Sequence, residues 1–153
     1  MDSAPPEQAL NSVDVIITLA PALGAAVFSA ASAAMNSLTS ARISALAETL
    51  GGVRRDALLR YRDRGPAIRS RWLALRVLGI AATAILAQRW VPLGGYRGTL
   101  VATLVALVLY GIPAEVLRAL AERMAERIAP TMLRILRLPE LVIAPLALPF
   151  YLL

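Results

Sequence analysis

The sequence predicts an all-α membrane protein of about three transmembrane helices, with further helices on the cytoplasmic side and beside the membrane. Three observations carry that expectation. Hydrophobic residues make up 58% of the 153 residues and charged residues 17%, against roughly 45–50% and 25% in water-soluble domains. A single water-soluble core of this size cannot hide so much apolar surface. The apolar residues also come in runs of about the 20 residues a helix needs to cross the hydrocarbon, with basic residues gathered between them.

The same composition narrows the chemistry. All 16 basic residues are arginine and the formal net charge is +6. A nucleic-acid partner needs such residues spread over a polar, solvent-facing domain; here they cluster between apolar runs, so the expected partner is the lipid bilayer and no nucleic acid. There is no cysteine and no histidine, which removes disulfides, thiolate metal sites and histidine acid–base chemistry. Any bound metal must be held by oxygen, which favours a hard cation such as magnesium. Enzymatic activity is not expected. The serines have no histidine to activate them, and Gly94-Gly95 reads as a turn without phosphate-loop spacing.

Residues 1–12 form an expected external tail, carrying Asp2 and Glu7 and no basic residue. A secretory signal opens on positive charge, so the first apolar run is read as a retained span, residues 13–36. Within it Ala22, Ala26, Ala30 and Ala34 recur every fourth position, as do Ala25, Ser29 and Ala33. Lipid offers no hydrophobic drive to pair helices, and small residues at this spacing let a second helix come close. The alanine row is therefore the expected packing face, toward a second copy of the chain or a related membrane subunit. Pro21 predicts a kink in the outer third.

Residues 37–71 hold eight arginines and read as cytoplasmic, since loops rich in Arg are retained on that side. Gly51-Gly52 divides this stretch into two helices and Gly65-Pro66 ends the second. A second span follows over 72–90, with Arg76 near its inner end long enough to snorkel to the headgroups. Gln88 to Arg97, with Trp90 and Tyr96 as aromatic anchors and only two arginines, reads as an external turn. The third span, 98–113, is closed by Gly111 and Pro113. An amphipathic helix is expected over 114–129, with Val116, Leu117, Leu120, Met124 and Ile128 on one side and alternating glutamates and arginines on the other. The last run, 138–153, contains Pro139, Pro145 and Pro149 and a single charge, Glu140. It reads either as an apolar juxtamembrane belt or as a fourth span. The expected location is the cell membrane, as a multi-pass protein with its N-terminus outside.

Three features in order resemble the transmembrane domain of the CNNM/CorC family of magnesium and cobalt efflux proteins. The first is Phe28-Ser-Ala-Ala-Ser-Ala-Ala-Met-Asn-Ser-Leu-Thr-Ser-Ala-Arg42, similar to that family's first span and the Arg-containing helix after it. The second is Trp72-Leu-Ala-Leu-Arg-Val-Leu-Gly79-Ile-Ala, similar to its second-span entry. The third is Pro113 followed seventeen positions later by Ala129-Pro130, similar to its Gly-Glu-x-x-Pro-Lys motif and the amphipathic helix beyond. The resemblance covers roughly residues 10–150 and rests on order and spacing more than on any one motif.

What the resemblance implies is a divalent-cation transporter domain degenerate at its ion site. Ser29 matches one of the family's ion-site positions, while Ser32 replaces the first-span glutamate and Ala81 a polar residue of the second span. Tyr110 stands at the motif glutamate, with Leu109 at its glycine and Ala114 at its lysine. The paired adenine-nucleotide-binding CBS domains of the family have no counterpart in these residues. Ser29, Ser32 and Asn36 remain as candidate magnesium ligands, with Thr83 and Tyr110 as further neutral oxygens. Magnesium is usually held by one or two carboxylates, and the predicted spans contain none internally: Asp14 and Glu115 lie at their boundaries. The alternative expectation is a non-transporting membrane adaptor or regulatory subunit that assembles with a related full-length transporter.

Overall fold

In the computed structural model, which describes residues 12–91 and 93–143, the chain is all-helical and has no strand among the described residues. Three helices are long and apolar enough to cross a membrane. The expected external tail lies outside the described residues except for Ser12, as does the part of the expected belt or fourth span beyond Ile143.

The first span is α1, Ser12–Asn36. Asp14 in its first turn complements the positive end of the helix, and the helix continues through Pro21 without interruption. Thr39 then caps α2, Ser40–Thr49, its hydroxyl accepting from the Arg42 amide at 3.3 Å. The expected break at Gly51-Gly52 is present. Gly52 has φ of +60°, a conformation that a side chain would strain.

One expected boundary is present and another moves. The expected helix end at Gly65-Pro66 is a kink: α3, Gly52–Ala87, consists of two helical stretches that meet at Arg64, whose φ and ψ are −126° and 23°. Pro66 has no amide hydrogen to donate to the carbonyl four residues before it, and its ring crowds that carbonyl, so the helix bends in this turn. Across the bend the Tyr61 ring covers Gly65 and stacks on Trp72, ring centres 6.0 Å apart. After a 3₁₀ turn at Gln88–Trp90, α4 covers Gly95–Arg123 and passes through Pro113, where the third span was expected to close. The expected separate helix over 114–129 is therefore divided between the end of α4 and α5, Ala125–Ile135, with the break at Met124. One proline costs α4 a single hydrogen bond, whereas a break at Pro113 would divide the buried row Gly98, Ala102, Ala106, Ala114 and Ala121. At 29 residues, α4 is roughly 43 Å long, so it outruns a hydrocarbon layer of about 30 Å. Residues 137–143 form a last helical segment, α6.

α1 is the central helix. It runs antiparallel to α3, with Gly79 against Pro21 and Ala25 at one end and Trp72 and Ile68 clustered with Phe28, Ala31 and Met35 toward the other. On another side of α1, Ala30 and Ala34 cluster with Ala121 of α4 and Ala125 of α5. The main core lies at the Arg-rich end, where α2, the first half of α3 and α5 bury Ile43, Leu58, Tyr61, Trp72, Ala129 and Leu133 around the foot of α1. Farther along the spans, Val77, Leu78 and Ile85 of α3 and Leu104, Val108 and Ile112 of α4 are exposed. Such surfaces suit lipid rather than water.

Candidate functional site: the α1 strip and the foot of the bundle

The alanine row expected to receive a partner is filled by the chain itself. Ala22, Ala26 and Ala34 are fully buried and Ala30 nearly so. Ala121 of α4 and Ala125 of α5 cluster with Ala30 and Ala34, and Gly79 of α3 packs beside the row, on Pro21 and Ala25. A Cβ at Gly79 would stand 2.8 Å from the Pro21 carbonyl oxygen and 2.9 Å from the Ala25 Cβ. These helices are therefore as close as a missing side chain allows.

Ser29, Ser32 and Asn36 are three and four residues apart, so they share one side of α1. Their chemistry differs. The Ser32 hydroxyl donates to the Phe28 carbonyl of its own helix at 2.9 Å, Ser29 is half-buried, and Asn36 is exposed at the last turn. Thr83 is buried and likewise donates to its own helix, at the Gly79 carbonyl, 2.8 Å away. Tyr110 is half-buried on α4. Asp14 lies in the first turn of α1, and Glu115 is exposed on α4. No group of three or more carboxylates able to hold a metal occurs among the described residues. The donor set offered to a cation on this strip is neutral hydroxyl and amide oxygen.

A second constellation, not anticipated from the sequence, sits at the Arg-rich end. Glu140 of α6 is 1% exposed. One of its oxygens accepts from Trp72 Nε1 at 2.7 Å and the other from Arg60 Nη1 at 3.0 Å. Arg60 Nη2 also donates to the Leu133 carbonyl at 3.0 Å, so a single guanidinium ties α3 to both α5 and α6. Burial pushes the Glu140 carboxyl above its ordinary range, while Arg60, the Trp72 donor and Arg71 pull it back. A lone carboxylate in an apolar run had to find a cation. That signal was present at Glu140, but nothing in the sequence singled out Arg60 among eight neighbouring arginines.

The third feature is an open cleft of about 590 Å³ where the α1–α2 turn meets the α4–α5 break. Ser37, Leu38, Thr39 and Arg42 form one wall and Glu122 to Arg127 the other. Arg42 pairs with Glu126 across it, and Arg118 holds Glu122 at 3.0 Å.

Comparison of the chain with family models, curated proteins and solved structures gives no match.

Proposed function

We propose that the chain is a multi-pass protein of the cell membrane, its Arg-rich end in the cytoplasm, acting as a non-transporting helical subunit that assembles with another membrane protein. The observation that carries this reading is the donor set on α1. A dication leaving water needs both replacement oxygens and counter-charge. The strip supplies neutral oxygens, and one of them, Ser32, is already committed to Phe28. Because the alanine row is occupied within the chain, a partner meets the lipid-facing surfaces of α3 and α4, around Leu78, Ile85, Leu104 and Val108.

The second reading is divalent-cation transport. The resemblance to the CNNM/CorC transmembrane domain and the alignment of Ser29, Ser32 and Asn36 on one side of α1 favour it. Titration calorimetry with magnesium and magnesium flux in proteoliposomes separate the two. The unmodified chain is expected to bind no tighter than about millimolar and to leave flux at the level of empty liposomes, since magnesium surrenders its water reluctantly. Tyr110→Glu with Ser32→Glu is the matching gain-of-charge variant. Micromolar binding or robust flux by the unmodified chain overturns the subunit reading in favour of transport.

A further inference from the structure

The cleft at the foot of the bundle has charged groups that the fold leaves uncommitted. Its two carboxylates are both engaged, Glu122 by Arg118 and Glu126 by Arg42. Arg123 and Arg127 lie on the same wall, are exposed, and make no ion pair among the described residues. Between them the chain breaks at Met124, and α5 begins without a side-chain cap, its first residue Ala125 lining the same cleft. On the opposite wall the Ser37 hydroxyl donates to the Ala34 carbonyl at 2.8 Å, and Thr39 Oγ1 accepts from the Arg42 amide, so the two arginines carry the charge the cleft offers. The cleft lies at the C-terminal ends of α1 and α4, beside the Arg-rich foot of the bundle.

We propose that this cleft binds a phosphate group, namely the headgroup of an anionic phospholipid in the leaflet that faces the Arg-rich end. Two guanidiniums on one wall match a phosphate's planar pairs of acceptor oxygens, and basic pockets between spans are the usual recognition mode for anionic headgroups. A volume of about 590 Å³ admits a phosphoglycerol group. The inference names a lipid for the membrane protein proposed above, and rests on that reading only for which leaflet supplies it.

The test uses the full chain in detergent, so that orientation in a cell does not enter. Lipid retention is measured by native mass spectrometry with phosphatidylglycerol and, separately, phosphatidylcholine. Arg123→Gln with Arg127→Gln is compared with Arg54→Gln plus Arg55→Gln, which removes equal charge elsewhere on the same end, and circular dichroism checks that both variants remain helical. The cleft variant is expected to lose roughly thirtyfold in apparent affinity for phosphatidylglycerol, about fivefold per arginine, and the control less than about threefold. A competing arm adds inorganic phosphate. Failure of millimolar phosphate to displace phosphatidylglycerol supports the lipid headgroup, and displacement supports the same phosphate site filled by a soluble anion. Equal losses in the two variants, no loss in either, or equal retention of phosphatidylcholine overturns the proposal.

Discussion

Replacing Glu140 with alanine tests how the segment after the spans is held. The substitution removes the acceptor for Trp72 Nε1 and for one arm of Arg60, both at sites closed to water on the glutamate side. Removing one partner of a buried ion pair costs about 3–5 kcal/mol because the other charge is left uncompensated. Arg60 is 24% exposed and keeps the Leu133 carbonyl, which places the cost at the lower end, about 3 kcal/mol. That corresponds to roughly a hundredfold change in the opening equilibrium. Hydrogen exchange resolved along the chain separates opening of α6 from unfolding of the spans and is the appropriate assay. Amides over residues 133–143 are expected to exchange about a hundredfold faster in Glu140→Ala, with α1 unchanged. Arg60→Met combined with Glu140→Leu should recover most of the protection, since an apolar pair removes both desolvation costs. Exchange in Glu140→Ala within twofold of the parent, or a double variant no better protected than the single one, refutes the reasoning.

Three further outcomes follow from the same geometry. Gly79→Ala should destabilise the bundle by about 1–3 kcal/mol, read as a shift in denaturant-induced helix loss, because its Cβ meets the backbone of α1 at 2.8 Å; a neutral result means the two helices are not in close contact. Ala26→Leu with Ala30→Leu should lower the stability of the single chain without altering crosslinking between chains, since both alanines are buried inside it; unchanged stability with lost crosslinking would return the row to a partner. Burial raises Glu140 above its ordinary pKa of 4.5, so the folded state binds the proton more tightly than the unfolded one. The proton-linked part of its contribution is then fully present below pH 4.5 and declines as pH rises through the raised value, while the bonds to Trp72 and Arg60 persist. Protection of α6, corrected for intrinsic exchange, should fall over that window and be flat in Glu140→Gln.

The spans were legible because their signal is compositional: an apolar run of sufficient length has few alternatives to a helix in lipid. The breaks were less so. A proline and a glycine mark where a helix is weakest, but whether it ends there depends on what is packed across the point. At Gly65-Pro66 the chain does kink, at Arg64, while the small residues of α4 lying on α1 carry that helix past Pro113. In the fold the alanine row of α1 is buried, Ala30 and Ala34 clustering with Ala121 and Ala125 of the same chain. The row in α4 that meets it is interrupted by Tyr110 and Leu117, so its spacing is weak in the sequence alone. Among the site residues, Ser29, Ser32 and Asn36 do share a helix side, as their spacing dictates. Glu140 and Arg60 are 80 positions apart, and only the return of α5 and α6 beneath α3 brings them together.

Thiol accessibility is the most direct test of the proposed cytoplasmic position of the Arg-rich end. The chain has no native cysteine, so one substitution supplies the only reactive thiol. Gly51 and Gly94 are suitable positions: both are exposed, neither has an atom within 4 Å of an added Cβ, and neither has a positive φ. They lie at opposite ends of the bundle, Gly51 before α3 and Gly94 before α4. With a membrane-impermeant maleimide on intact cells, Gly94→Cys is predicted to label, and Gly51→Cys to label only after permeabilisation. Labelling of Gly51→Cys from outside intact cells, or recovery of either variant in the soluble fraction, contradicts the account.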